Sequence, residues 1–410
     1  MGGFPDGFWW GTASSATQCE GAAPASDWAV WEREGRAPPS GDGNGFGRRF
    51  AEDFALLAGL GLTHHRLSID WARIEPAEGR RDRGAVEHYR EVLQAAREAG
   101  IAVWACLHHF TVPAWFLAEG GFVEGRSRGR YWPRHVAFVA ETFGDLVFGW
   151  KPINEPVAYA AAGYLRGVFP PGTRNERAFA NCLRGMALAW RDAAKELRGG
   201  RRPVATILNL SPVFPADDTA AARRQADLVD RVLWGVWCRA LNDGVLSVPG
   251  LPDEEVPGLA GSADIIGFSY YSALAVDGAG GFHPYPGGHR VGPLGYAPWS
   301  EGLGITIRRL AEALPGRPLL VAEHGVGTTD DAWRCDVLRE SLAVVEEAVA
   351  DGIDLCGFFH WTSVDNYEWL HGFDVPFGLA DRDRSVRPSG ELLASFAGRE
   401  PAGGGGTQTG

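Results

Sequence analysis

Eight times along the chain a short, almost uninterrupted apolar run turns polar at its end. Longer stretches with helical periodicity separate the runs. They span residues 8–14, 63–69, 102–108, 147–154, 204–210, 264–271, 319–324 and 357–362. Short β-rich runs alternating with amphipathic segments predict parallel strands joined by crossover helices. Strands that are apolar on both faces are buried on both faces, and polar groups at their C-terminal ends sit where barrel active sites are built. The expected fold class is therefore α/β, a single (β/α)8 TIM barrel with its active site at the C-terminal ends of the strands.

Helical period is clearest over 85–99, 176–197, 220–241 and 335–350, and Gly100, Gly199, Gly244 and Gly352 supply the stops. Neither an internal repeat nor a linker divides the chain, which predicts one catalytic domain over residues 1–400. The segment 401–410, PAGGGGTQTG, has too little apolar surface to offset its ordering entropy and reads as a disordered tail. The Gly- and Pro-rich stretch 278–298 reads as a long loop over the barrel mouth.

A net charge of −12 spread along 410 residues argues against a nucleic-acid surface and is compatible with a neutral substrate. The opening MGGFPDGFWW lacks the pattern of an export signal, and no apolar run is long enough to span a membrane. Cys19, Cys106, Cys182, Cys238, Cys335 and Cys356 are scattered without CxxC spacing, so reduced, buried thiols in a cytoplasmic protein are expected, with no metal and no cofactor.

Two strand ends carry a glutamate directly after an apolar run: Glu155 in WKPINEP and Glu323 in LLVAEHG. Placing a carboxyl there is costly unless it is paired or functional, and rim salt bridges are the bland alternative. Two carboxyls facing each other across a barrel mouth suit glycosidic cleavage. One protonates the leaving oxygen and the other attacks the anomeric carbon, at about 5 Å separation for retention. An ionised Glu323 nearby would favour the protonated form of Glu155.

At these residues the chain resembles the family 1 glycoside hydrolases, which include β-glucosidases, β-galactosidases and 6-phospho-β-glycosidases. The resemblance runs from Phe4 to about Phe396. It is carried by FPDGFWWGTASSATQCEG, HHRLSIDWARIEP, INEP, AEHG, HWTSVDNYEW and the following FGL. It implies a retaining β-glycosidase acting on a small-molecule β-glycoside or oligosaccharide, with Glu155 as acid/base and Glu323 as nucleophile. Arg66 and Tyr271 resemble the residues that contact the nucleophile. Gln18, His109, Asn154, Glu368 and Trp369 resemble the lining of the sugar subsite, Trp361 the sugar platform, and Phe377 lies in the FGL segment. Taken alone, His109 would read as a core histidine, Trp361 as core, and Gln18 and Asn154 as structural.

Several positions depart from the commonest pattern of that family. Phe110 and Thr111 stand where Trp and Asp are usual, Ser269 replaces Asn, Ala322 and His324 replace Thr and Asn around the nucleophile, and Pro152 replaces Thr. The reaction type is thus firmer than the choice among glucose, galactose and fucose. The chain also looks short for the family, which suggests trimmed surface loops. Among rival readings, a 6-phosphoglycosidase fits poorly because Glu368 would repel phosphate, and a thioglucosidase fits poorly because Glu155 is present. A non-catalytic glycan-binding barrel would tend to have lost a carboxylate. A metal enzyme would need a ligand set beyond the histidine pairs 64/65 and 108/109.

Overall fold

The computed structural model describes residues 3–398, so the predicted tail 401–410 lies outside the described residues. Eight parallel strands form one sheet: β1 (Trp9–Ala13), β2 (His64–Ser68), β3 (Ala102–Cys106), β4 (Gly149–Lys151), β5 (Leu208–Asn209), β6 (Ile266–Tyr270), β7 (Leu319–His324) and β8 (Leu355–Trp361). Their order is β4-β3-β2-β1-β8-β7-β6-β5. The two ends of that order meet through a parallel bridge between Trp150 and Val204. There Trp150 N donates to Pro203 O at 2.9 Å and Ala205 N to Trp150 O at 2.8 Å. The sheet is thereby curled into a (β/α)8 TIM barrel, as expected.

The helices α1 (Phe46–Gly59), α2 (Arg83–Glu98), α3 (Gly125–Phe143), α4 (Glu176–Leu197), α5 (Ala220–Asp230), α6 (Ser300–Ala313), α7 (Asp331–Ala350) and α8 (Pro388–Phe396) each follow one strand. Asp82, Asn175, Thr219 and Asp330 cap α2, α4, α5 and α7 by accepting from a backbone N–H three residues on. The predicted helix 220–241 is continuous but not uniform. A π turn at Arg231–Gly235 separates α5 from a last segment, Val236–Asp243, which stops at Gly244 with φ 75°. Helix α3 lacked a clear sequence signal because Gly129 and Pro133 lie inside it.

Side chains alternate between two apolar layers. On β3, Val103 and Ala105 face the large core under the helices, whereas Trp104 points into the barrel with Ala205, Ile207, Leu320 and Phe359. The interior is crowded enough to demand glycine at Gly11 and Gly149. An added Cβ would lie 2.7 Å from the Phe359 ring at the first and 2.4 Å from the Trp104 ring at the second. This packed floor places the free strand ends, and hence the site, on the opposite side. It also holds Lys151, fully buried and with no hydrogen-bond partner among the described residues, with its Nζ 4.5 Å from the Phe359 ring centre. Burial drives that amine well below its usual range.

Three sequence expectations need correction. The run 204–210 gives only a two-residue ladder in β5, preceded by isolated bridges at Val204 and Ala205, with the Thr206 hydroxyl donating to Gly267 O at 2.8 Å between them. Residues 278–298 are not one loop. Phe282–Tyr285 pairs antiparallel with Ala273–Val276, which in turn pairs with Val213–Pro215. Pro284 is tolerated there because the strand lies at the edge of that small sheet. Finally, Cys238, Cys335 and Cys356 are half-buried, while Cys19, Cys106 and Cys182 are buried, and all six are free thiols.

Candidate active site

All eleven residues singled out in the sequence lie on barrel strands or in the segments that follow their C-terminal ends. Arg66 is on β2, Glu323 on β7, Trp361 on β8, and Tyr271 directly follows β6. Asn154 and Glu155 follow β4. Their backbone N–H groups donate to His108 O and Ile207 O, both at 2.9 Å, which ties the segment between its neighbours. Glu155 then opens the short helix Pro156–Ala160 with φ 42°. Phe110 and Trp369 share this left-handed backbone, with φ of 65° and 49°. Such conformations persist in non-glycine residues only where the surroundings impose them, and they cluster at functional sites.

Glu323 is buried and tightly held. Arg66, fully enclosed, makes a direct ion pair with its Oε1, and the Tyr271 hydroxyl donates to Oε2 at 2.8 Å. Burial, then the nearby Glu155 and Glu368, push the Tyr271 phenol far above its usual range, so it stays a donor. Arg66 Nη1 also donates to His109 Nδ1 at 2.9 Å. Because guanidinium only donates, Nδ1 must accept and the His109 proton sits on Nε2. Burial, reinforced by Arg66, holds that imidazole neutral. His109 is therefore a fixed-tautomer donor, stacked 5.7 Å from Trp361 at 9° and 6.3 Å from Trp369 at 10°.

Glu155 is the opposite case. Its side chain makes no ion pair and no close hydrogen bond among the described residues, part of its surface is open, and its carboxyl is shifted above the ordinary glutamate range. Desolvation is the leading cause, opposed by the nearby Ser269 hydroxyl and by Arg66. This differs from the sequence expectation, which put the charge of Glu323 first. Both amide atoms of Asn154, Oδ1 of Asn209 and Oγ of Ser269 are buried without partners among the described residues. Groups in that condition are where a polar ligand would bond.

The remaining predicted residues fall into two clusters. Gln18 is fully committed inside the protein. It accepts from Ser15 Oγ at 2.8 Å and donates to Tyr367 O at 2.9 Å and to Glu368 Oε2 at 3.1 Å. In this state it orients Glu368, whose carboxyl burial raises to about 8 despite that bond. Trp369 packs edge-on to Trp28 at 4.7 Å and near Phe110 and Phe169. On the other side, Phe377 meets Tyr271 edge-on at 6.2 Å, in a small apolar recess completed by Leu294, Tyr296 and Val326. Asn209, Phe169 and Tyr296 were not among the residues read from the sequence. Asn209 is the last residue of β5, near the end of the fifth apolar run, so the same strand-end rule finds it. Phe169 and Tyr296 lie in loops, where no periodicity marks a wall residue.

Comparison with known proteins decides the family. The model of glycosyl hydrolase family 1 matches residues 1–285 and 289–394. The chain belongs to this family and is a glycoside hydrolase. It is 26% identical over 473 aligned residues to the coniferin β-glucosidase of Pinus contorta, covering 96% of this chain and 91% of that one. It is also 26% identical to β-glucosidase A of Thermotoga maritima, covering 94% of each. Among solved structures, a β-glycosidase from Pyrococcus horikoshii superposes with a TM-score of 0.89 at 29% identity, over 97% of this chain and 95% of that one. No helix among the described residues of this family 1 glycosidase is long and apolar enough to cross a membrane.

Proposed function

We propose that this family 1 enzyme is a retaining β-glycosidase that removes terminal non-reducing β-D-glucosyl residues by double displacement. The observation that carries the reading is the unequal treatment of two glutamates at one mouth. Glu323 has a cation and a phenol donor on its two oxygens, and Glu155 has a raised pKa and no strong partner. Paired environments that push two carboxyls apart in pKa separate an acid from a nucleophile.

In the first step Glu323 attacks the anomeric carbon while the Glu155 proton passes to the departing glycosidic oxygen. The resulting ester consumes the charge on Glu323. Glu155, now a carboxylate, takes a proton from water, whose oxygen attacks the same carbon and releases Glu323. His109 Nε2, the Asn154 amide and Glu368 offer donors and acceptors for hydroxyls, and the Trp361 ring offers an apolar face. Glu368, a buried carboxyl raised to about 8, offers hydrogen bonds to a free hydroxyl but no positive charge to hold a phosphate at the far end of the sugar.

The relatives named above are β-glucosidases and a β-glycosidase, which supports glucose as the first sugar to test. Ser269 in place of a longer amide leaves β-galactosides, β-fucosides and glycosylated natural products as the second reading. A panel of aryl β-glycosides followed by proton NMR should show β-glucose as the first-formed product, with the 6-phosphoglucoside cleaved more slowly. Glu323→Ala should lose on the order of 10⁵-fold in kcat and regain turnover with azide as an α-glycosyl azide. First appearance of the α-anomer, or an active and azide-indifferent Glu323→Ala, would overturn the assignment.

A further inference from the structure

Glu323 is aimed by a break in strand regularity. The pairing of β7 with β6 runs in step from Leu319 to Val321, shifts, and resumes with Glu323 opposite Ser269 and His324 opposite Tyr270. The pairing with β8, after an earlier shift between Leu319 and Val321, shifts again between Val321 and His324 and resumes at His324 opposite His360. Such an irregularity re-aims the side chains that follow it. Leu320 and Ala322 fill the barrel interior, and the shift lets the very next residue, Glu323, also turn inward to Arg66 and Tyr271.

The same shift sends residue 324 outward against the helix layer, where an imidazole needs partners. His324 has two. Its Nδ1 lies 2.7 Å from Tyr270 O on β6, and its Nε2 lies 2.8 Å from Ser341 Oγ on α7. A carbonyl can only accept, so Nδ1 carries the proton and Nε2 accepts from the Ser341 hydroxyl. Both residues are buried at 1% exposure, and the His324 and Tyr270 rings stack at 5.9 Å. Burial lowers the imidazole to about 4, in keeping with the neutral form that this bonding requires. Tyr270 is anchored in turn, its hydroxyl donating to Trp299 O at 2.6 Å.

We propose that His324, locked by Ser341, is a positioning residue for Glu323. It fastens the strand irregularity that aims the carboxylate and ties it to the strand end that carries the phenol donor Tyr271. A single neutral imidazole links β7, β6 and α7, so the acceptor oxygen of Glu323 and the donor oxygen of Tyr271 keep their spacing. The proposal rests on Glu323 being the nucleophile.

The test uses Ser341→Ala, which leaves Nε2 without its partner, and His324→Asn, whose amide is too short to bridge both groups. Misplacing a reacting group by about 1 Å costs on the order of 10²-fold, so kcat should fall about 10- to 100-fold with KM for an aryl glucoside little changed. Concentrations of active sites are set by titration with a slow covalent glycosyl inactivator, which removes misfolded enzyme from the comparison. Ser341→Thr, which keeps the hydroxyl, should recover most of the loss. Added to Glu323→Ala, Ser341→Ala should not lower the azide-rescued rate further, because there is no carboxylate left to aim. Unchanged kcat per active site in both single variants overturns the positioning role, as does an equal loss in the azide-rescued background. Failure of azide rescue itself strikes instead at Glu323 as nucleophile, so the two ideas fail separately.

Discussion

The two glutamates at the mouth differ more in their supports than in their positions. Glu323 sits on a full strand, six residues long, with both oxygens contacted and its flanking residue pinned to two other elements. Glu155 follows a three-residue strand, on left-handed backbone, and its strongest influence is the loss of water around it. A carboxyl surrounded by donors remains an anion, and one that is desolvated without donors keeps its proton. On the proposed assignment one residue type supplies two chemical roles through neighbours alone, and the difference predicts where substitution should act on charge and where on proton transfer.

The sharpest way to break this contrast is to remove the proton from one side. Glu155→Gln should slow aryl glucosides with poor leaving groups by about 10²- to 10⁴-fold, the usual worth of a general acid. Formation of the glycosyl-enzyme from a dinitrophenyl glucoside, which departs without help, should lose about tenfold or less. Because the Glu155 carboxyl is raised, wild-type kcat/KM should hold to a higher pH than an ordinary glutamate allows and then decline as Glu155 ionises. That basic limb should vanish in Glu155→Gln. Equal losses on both substrates, or a retained limb, would show that Glu155 does not deliver the proton.

On the other side of the comparison, Tyr271→Phe removes a single donor from Glu323 and leaves Arg66. A hydrogen bond to a charged group is worth about 1.5–3 kcal/mol, so a kcat decrease of about 10- to 100-fold is expected, with the optimum shifted because Glu323 holds its proton more readily. Steady-state rates across pH 4–9 decide it. An unshifted acid limb would assign the phenol to packing alone.

The same contrast explains what could be read from the sequence. Strand positions with strong supports announce themselves: Tyr271 and Glu323 stand at the ends of apolar runs and Arg66 lies inside a strand run, and that pattern survives folding. The barrel was legible for the same reason, because its parallel strands are buried on both faces and little else explains such runs. Features set by tertiary crowding were not. The edge strand Phe282–Tyr285 contains a proline and no alternation, and the π turn at Arg231–Gly235 leaves the helical pattern intact. Gln18 illustrates the limit within the site. Its motif implied contact with sugar but not the bonds that hold its amide to Ser15 and, from a distant segment of the chain, to Tyr367 and Glu368.

Glu368 extends the comparison from catalysis to stability and gives the smallest expected effect. Its carboxyl is raised to about 8 from 4.5, first by burial and further by Glu155, while Gln18 opposes the shift. Between those two values the unfolded chain gives up the proton freely and the native state retains it, so the native state binds more protons and stability falls as pH rises. Glu368→Gln, which cannot ionise, should therefore melt close to the wild type at pH 4 and progressively above it towards pH 9, although it loses an acceptor for sugar hydroxyls and should raise KM. Thermal melts of the two proteins at matched pH measure the difference directly. A constant offset across the range would place Glu368 with the supported carboxylates rather than with Glu155, and would mean that the bond from Gln18 outweighs burial.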